Sequence, residues 1–373
     1  MKFECQQKDL LKALSHVVSV TEKKTTMPIL SNLLMEAKGD HLILSGTDLE
    51  LSIESRCPVK VSVEGRICTP AQQWADIIRR LPDSTVKIHK DEQGWIIIQS
   101  GKAKFRVAGL DAAEFPKLPD PKDHHFVAVR KSLFLDGIEK TGYAMSIDEI
   151  RYNLNGIYVE IAKNEGIPEL RMVSTDGHRL AVYAAPLEKE EALTLDKGII
   201  LPRKGVHELR KILPEHEGDR VDVSITANSM AFVVGSTKLY MKLVVGDFPK
   251  YQDVIPKGDR KKLVLTRALF SDSLKRVSIL SEGKSKCVRL GIRPDGVLLA
   301  AQSPELGEAN EEIPAEFTGT ELNIGFNAKY LLDAISVFHG DKILLELDHE
   351  QSPGVLRAVE DARSLSVVMP MRI

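Results

Sequence analysis

The most suggestive polar cluster in the chain is Ser174-Thr175-Asp176-Gly177-His178-Arg179, which sets a hydroxyl, a carboxylate and an imidazole within a few positions of one another. A hydrolase is one reading of it. Nucleophile, base and orienting carboxylate normally come from separate segments, because the base must approach the nucleophile from one side and its own partner from another. Asp176-Gly177 between the apolar runs Leu170 to Val173 and Leu180 to Tyr183 is instead what a hairpin turn requires. Glycine accepts positive φ, and aspartate bonds its own backbone. A turn is the expectation.

Other chemistry is no better supported. Of the ten histidines only His124 and His125 are adjacent, and none stands in an H-E-x-x-H arrangement. Gly283-Lys284 lacks the preceding glycine of a phosphate-binding loop, and no G-x-G-x-x-G follows a strand. Asp48, Asp176 and Asp253 fall in separated turn or linker contexts rather than in a carboxylate cluster for metal ions. We therefore expect no catalytic residue, no metal ligand, no cofactor and no enzyme activity. The four cysteines form no C-x-x-C pair, the first residues are broken by charges, and no apolar run approaches the roughly 18 residues that span a bilayer. A cytoplasmic protein without membrane contact is expected.

The elements that would position such residues repeat three times. Each of three successive segments opens with apolar residues at helical spacing: Leu10, Leu11, Leu14 and Val18, then Leu133, Phe134 and Ile138, then Leu269, Phe270, Leu274 and Val277. An extended run follows in each, beginning at Pro28, Tyr152 and Cys287, with further alternating strands. A second helix returns over residues 70–81, 202–213 and 327–338, and each segment ends in a proline, at Pro116, Pro249 and Pro370. Three domains are expected, over 1–122, 123–257 and 258–373, each α+β with two helices packed on mainly antiparallel sheet.

Charge sorts along the same repeats. The six helical windows carry net +2, +1, +1, +3, +3 and 0 in chain order, or +10, against a chain total of −2, so the remainder holds −12. Lysine and arginine favour helix surfaces in any case. Six repeated basic helices around one axis would nonetheless attract the phosphates of a duplex without reading its bases, in a salt-sensitive way. A second reading is an interaction scaffold whose repeats present peptide grooves and whose basic helices are merely solvated.

Several stretches carry a resemblance to a known family. They are MKF at the start, MPILSNLL (27–34), GTDLEL (46–51), RYNLNG (151–156), STDGHRLAV (174–182), LPRKG (201–205), DFPKY (247–251) and VVMPMR (367–372). In this order they resemble the bacterial sliding clamps, the β subunits of DNA polymerase III, over the whole chain. The resemblance implies a head-to-tail homodimer closing as a ring of six domains around duplex DNA. It also implies a processivity factor that catalyses nothing, is loaded by an ATP-driven clamp loader, and tethers the replicative DNA polymerase, other polymerases and repair factors.

Residue roles follow from the same resemblance. Lys24, Gln72, Asp148, Tyr152, Asn153, Arg203 and Lys204 correspond to DNA-contacting positions, with Gln72 and Asn153 departing from the residue types of relatives. Arg151, Leu154, Thr175, Gly177, His178, Arg179, Leu180, Pro249, Val254, Val367, Val368, Met369, Pro370, Met371 and Arg372 correspond to a pocket for a partner's short peptide, beside which Asp253 departs from the common basic residue. Trp74, Ile78 and Phe105 of the first domain, and Ile279 and Leu280 of the third, correspond to the dimer interface.

Overall fold

Among the described residues six α-helices form where the apolar spacing requires them: α1 (Gln7–Val18), α2 (Ala71–Arg80), α3 (Lys131–Thr141), α4 (Arg203–Glu215), α5 (Arg267–Val277) and α6 (Ala328–Ser336). The computed structural model describes residues 1–21, 26–119, 125–281, 286–305 and 307–372. In α1 the buried stripe is Leu10, Ala13, Leu14 and Val17, turned slightly from the expected one so that Val17 rather than Val18 faces the core. In α5 the stripe is Phe270, Leu274 and Val277, as the spacing indicates. The start of α6 is fixed by Asn327, whose side chain accepts from the backbone N–H groups of Lys329 and Tyr330 and so satisfies donors that the helix itself leaves open.

The chain forms two compact units. One comprises Met1–Lys131, Lys189–Leu193 and Lys204–Leu243, and the other Ser132–Glu188, Thr194–Arg203 and Val244–Ile373. The middle segment is thus shared between them, and hydrogen bonding explains why. In the first unit an eight-stranded antiparallel sheet joins two segments where Leu51–Pro58 pairs with Thr237–Lys242, placing Ser52 opposite Tyr240 and Leu51 opposite Met241. In the second unit a nine-stranded sheet makes the equivalent joint where Arg179–Pro186 pairs with Ser364–Val368, placing Leu180 opposite Val367. An unpaired strand edge is a liability, and the neighbouring repeat covers it.

Each unit has a further sheet. The first carries a five-stranded one that ends on Ala103–Val107, and the second a four-stranded one that ends on Gly307–Pro314. Beneath the four-stranded sheet, Phe270, Phe326, Phe338 and Leu345 are fully enclosed in one continuous apolar core. No helix among the described residues is long and apolar enough to cross a membrane.

Candidate functional site

The polar cluster that opens the sequence argument is a turn. It links the strands Ile167–Thr175 and Arg179–Pro186, with Gly177 at φ +88°. Asp176 Oδ1 accepts the N–H groups of His178 (3.0 Å) and Arg179 (3.1 Å). Thr175 Oγ1 accepts from Gly177 N at 3.1 Å and donates to the Arg179 carbonyl at 2.6 Å. Ser174, fully buried, donates to the Thr141 carbonyl. The hydroxyls are therefore spent on backbone groups and the carboxylate on backbone N–H groups and the Arg179 guanidinium, and His178 stacks on Tyr330 at 6.3 Å between ring centroids.

Beside this turn lies an apolar cavity of about 150 Å³, lined by Leu154, Thr175, Gly177, Arg179, Leu180, Pro249, Tyr251, Val254, Val367 and Met369. Nine of these ten were expected from the sequence. Its floor belongs to a small core in which Leu180, Val367 and Tyr251 pack with Val173, Val182 and Val355. Met369, 38% exposed, and Val254 stand at its mouth. Side chains alternate along a strand, so Val367 and Met369 face the cavity while Val368 points the other way. Val368 is fully buried in the core beneath the four-stranded sheet, which corrects its expected place in the pocket.

Pro370, Met371 and Arg372 line a second cavity of about 470 Å³ with Glu350 and Gln351, and Met369 is common to both. Tyr251 was missed by sequence reasoning. It stands two residues after Pro249 in the stretch DFPKY, and that spacing was the available signal. Its hydroxyl donates to Glu160 Oε1 at 2.6 Å, and burial, then that carboxylate, pushes the phenol up to about 12.

Arg179 is a wall of the pocket rather than a polar hook at its rim. Its guanidinium is largely buried and donates to Asp176 (3.0 Å), Asp333 (2.6 Å) and the Tyr143 carbonyl (2.7 Å). It also lies over the rings of Tyr330 (4.6 Å) and Tyr143 (5.3 Å). Five contacts to four residues hold it rigid. Arg151, by contrast, is exposed and reaches the Asp176 carbonyl at 3.3 Å, and a Cβ added at Gly177 would meet its Nη1 at 2.9 Å.

Of the residues assigned to DNA, Gln72 and Lys204 belong to the first unit and Asp148, Tyr152, Asn153 and Arg203 to the second, while Lys24 lies outside the described residues. Gln72 sits in α2 with its amide donating to Asp76 at 3.3 Å. Asp148 caps the 3-10 segment Glu149–Leu154 by accepting from Ile150 N at 3.0 Å, and Arg151 stands 3.7 Å from it. Tyr152 in that segment is 59% exposed, and Asn153 staples it by donating to the Asp247 carbonyl at 2.9 Å. The Arg203 N–H donates to the Asn155 carbonyl at 3.2 Å. Lys204 Nζ stands 2.6 Å from Asp48 Oδ2.

The residues expected at a dimer interface divide by exposure. Ile279 is 72% exposed and Phe105 lies on the open strand Ala103–Val107, both available to a partner. Leu280 is half-buried. Trp74 and Ile78 are fully buried on the inner face of α2, so they support that helix rather than present a contact. This corrects their expected role, because apolar residues on a helix are more often core than interface.

Three repeats of two helices on antiparallel sheet, with strands continuing from one repeat into the next, make a three-domain clamp fold. Family models for the N-terminal, central and C-terminal domains of the DNA polymerase III beta subunit match residues 1–119, 128–250 and 252–372 respectively. The beta sliding clamp of Caulobacter vibrioides is 36% identical over 376 residues, covering 100% of both chains. A solved Caulobacter crescentus beta sliding clamp superposes with a TM-score of 0.93 at 35% identity, and the Pseudomonas aeruginosa clamp bound to griselimycin with 0.93 at 33%, each covering 100% of both chains. The chain belongs to the DNA polymerase III beta subunit family. Its function is that of a DNA sliding clamp.

Proposed function

We propose that two copies of this chain close head to tail into a ring around duplex DNA in the cytoplasm, and that the ring acts by topological linkage rather than by catalysis. Each copy contributes three domains, over 1–122, 123–257 and 258–373. Two open strand edges of opposite charge carry this reading. Ala103–Val107 includes Lys104 and Arg106 and follows Lys102, whereas Gly307–Pro314 includes Glu308, Glu311 and Glu312. An edge strand is a template for pairing, and a contact between unlike surfaces repeated twice closes a two-fold ring. Phe105 and Ile279 supply exposed apolar surface to that joint.

Within the ring, Gln72, Tyr152, Asn153, Arg203 and Lys204, together with Lys24 and Asp148, face the duplex through weak and interchangeable contacts. The cavity beside the Asp176-Gly177 turn takes the apolar side chains of a short peptide carried by the replicative polymerase, other polymerases, the clamp loader and repair factors. Its rigid Arg179 wall and the adaptable Met369 at its mouth suit leucine or phenylalanine side chains. The loader supplies the ATP-driven opening.

The reading is tested on DNA of two shapes. Once loaded, the dimer stays on nicked circular DNA and runs off when that DNA is linearised. Equal retention on both forms overturns the ring and favours a scaffold that binds without encirclement. In parallel, Ile279→Ala with Leu280→Ala gives folded monomers at low micromolar concentration in sedimentation, and persistence of the dimer moves the joint elsewhere.

A further inference from the structure

Lys204 stands at the start of α4 with its side chain 65% exposed, where the proposed function places a phosphate contact. Its ammonium is 2.6 Å from Asp48 Oδ2, and the Asp48 side chain is only 2% exposed. That carboxylate cannot swing aside. Its other oxygen accepts the backbone N–H groups of Glu50 (3.0 Å) and Leu51 (2.7 Å). The turn it sits in is further held by Thr47 Oγ1, which accepts from Leu49 N (3.0 Å) and donates to the Leu51 carbonyl (2.9 Å).

The helix end is fixed as well. Gly205, next in sequence, lies so close to Met241 that an added Cβ would meet its sulfur at 2.7 Å. Leu49 holds φ +75° with 42% of its surface exposed, a conformation that costs a branched residue energy and persists only when its surroundings impose it. The whole assembly is a rigid mount with one carboxylate oxygen aimed at one lysine. Elsewhere on α4, Lys211 pairs with Glu208 of the same helix at 2.8 Å.

We propose that Asp48 is a positioning residue that holds Lys204 and attenuates its grip on the phosphates of duplex DNA, so that this contact exchanges rapidly as the ring slides. The inference rests on the reading that α4 faces DNA. A phosphate approaching Lys204 must share the ammonium with a fixed carboxylate, and the pair presents no net charge at longer range. Part of the counterion release that an isolated lysine would give is therefore cancelled in advance. Exposed basic side chains without such a partner would hold more tightly and slide more slowly.

The test compares Asp48→Asn with the unaltered dimer for binding to a short fluorescent DNA duplex between 50 and 200 mM salt. Asparagine keeps an acceptor for the turn's N–H groups but removes the charge that holds Lys204. The slope of log affinity against log salt should steepen by about 0.9, so that the ratio of affinities across this salt range rises about threefold. Diffusion of the loaded ring on circular DNA should slow. Asp48→Asn combined with Lys204→Gln, which restores net neutrality, should return both measures to the original values. A change in packing alone would not move the salt slope.

Asp48→Ser provides the same loss of charge if the asparagine variant melts early. An unchanged slope in a folded Asp48 variant overturns the proposal, whereas Arg203→Gln weakening the same binding leaves the orientation of α4 standing. If neither change alters binding, the DNA-facing reading of α4 falls and this inference with it.

Discussion

The turns Thr47–Ser52 and Thr175–Leu180 are built on one plan and serve different ends. In each, threonine Oγ1 accepts an N–H two residues on and donates to a carbonyl four residues on. In each, Oδ1 of the following aspartate accepts two successive N–H groups. The partners of Oδ2 differ. Asp176 holds Arg179 of its own turn at 3.0 Å, and Asp48 holds Lys204 of α4 at 2.6 Å. The residue after the aspartate differs too: Gly177 at φ +88° leaves room beside the pocket, and Leu49 at φ +75° fills it.

The surroundings diverge with them. The 150 Å³ cavity beside Gly177 is small, with Tyr251, Leu180 and Met369 among its lining residues. The corresponding space beside Leu49 is a wider trough of about 580 Å³, with Lys117 and Lys242 among its lining residues. A repeated backbone device thus fixes where a loop goes, while the few side chains that leave it decide what the loop does.

The largest expected effect separates the two troughs. Met369→Ala with Leu180→Ala should weaken a clamp-binding peptide by about 2–4 kcal/mol, as loss of central apolar anchors does. Because Leu180 is buried, its truncation alone also costs stability, about 2–5 kcal/mol, and Met369→Ala is the cleaner single change. Alanine at Ser52 and Leu118, beside the other turn, should leave peptide affinity unchanged in the same titration. Equal losses from both sets would dissolve the distinction between the sites.

The next effect separates the two aspartates. Asp176→Asn should lower stability by about 1–3 kcal/mol, through loss of a charged acceptor for Arg179, without altering the salt slope of DNA binding. Denaturant midpoints and the duplex titration read these separately. A changed salt slope would mean that the second turn also bears on DNA.

Exchanging the residues after the aspartates should cost about 1–2 kcal/mol at Gly177→Leu, where a side chain is forced into the left-handed region against Arg151. Leu49→Gly should change stability by under about 1 kcal/mol, since relief of strain offsets the greater freedom of the unfolded chain. Thermal melts of the two variants measure this, and equal penalties would show that Leu49 is not strained.

The smallest expected effect is a flat profile. Burial and the bond to Glu160 raise Tyr251 to about 12, so its phenol stays neutral and the pocket gains no charge there as pH rises. Peptide affinity measured by calorimetry from about pH 8 to 10.5 should not fall through ionisation of that phenol, which at its ordinary value of about 10 would be mostly ionised at the upper end. A decline that disappears in Tyr251→Phe would place an ionising phenol in the pocket.

Much of this protein is written locally. Helical spacing of Leu10, Leu14, Phe270 and Leu274 and the Asp176-Gly177 turn depend on interactions between residues near in sequence, so pattern alone determines them. The threefold repeat is legible for the same reason, and the order of motifs carries the family. Tertiary structure decided the rest, because it concerns which distant groups meet. Alternation tells which face of a strand is buried but not which strand lies alongside, so the sharing of the middle segment between two sheets could not be read. Trp74 and Ile78 turned out to be core rather than contact, and Val368 faces away from Met369, since burial depends on what packs above a helix or sheet. The bond from Asp48 to Lys204 spans 156 residues. No local rule couples a turn to a helix so far along the chain; only folding brings the carboxylate and the ammonium together.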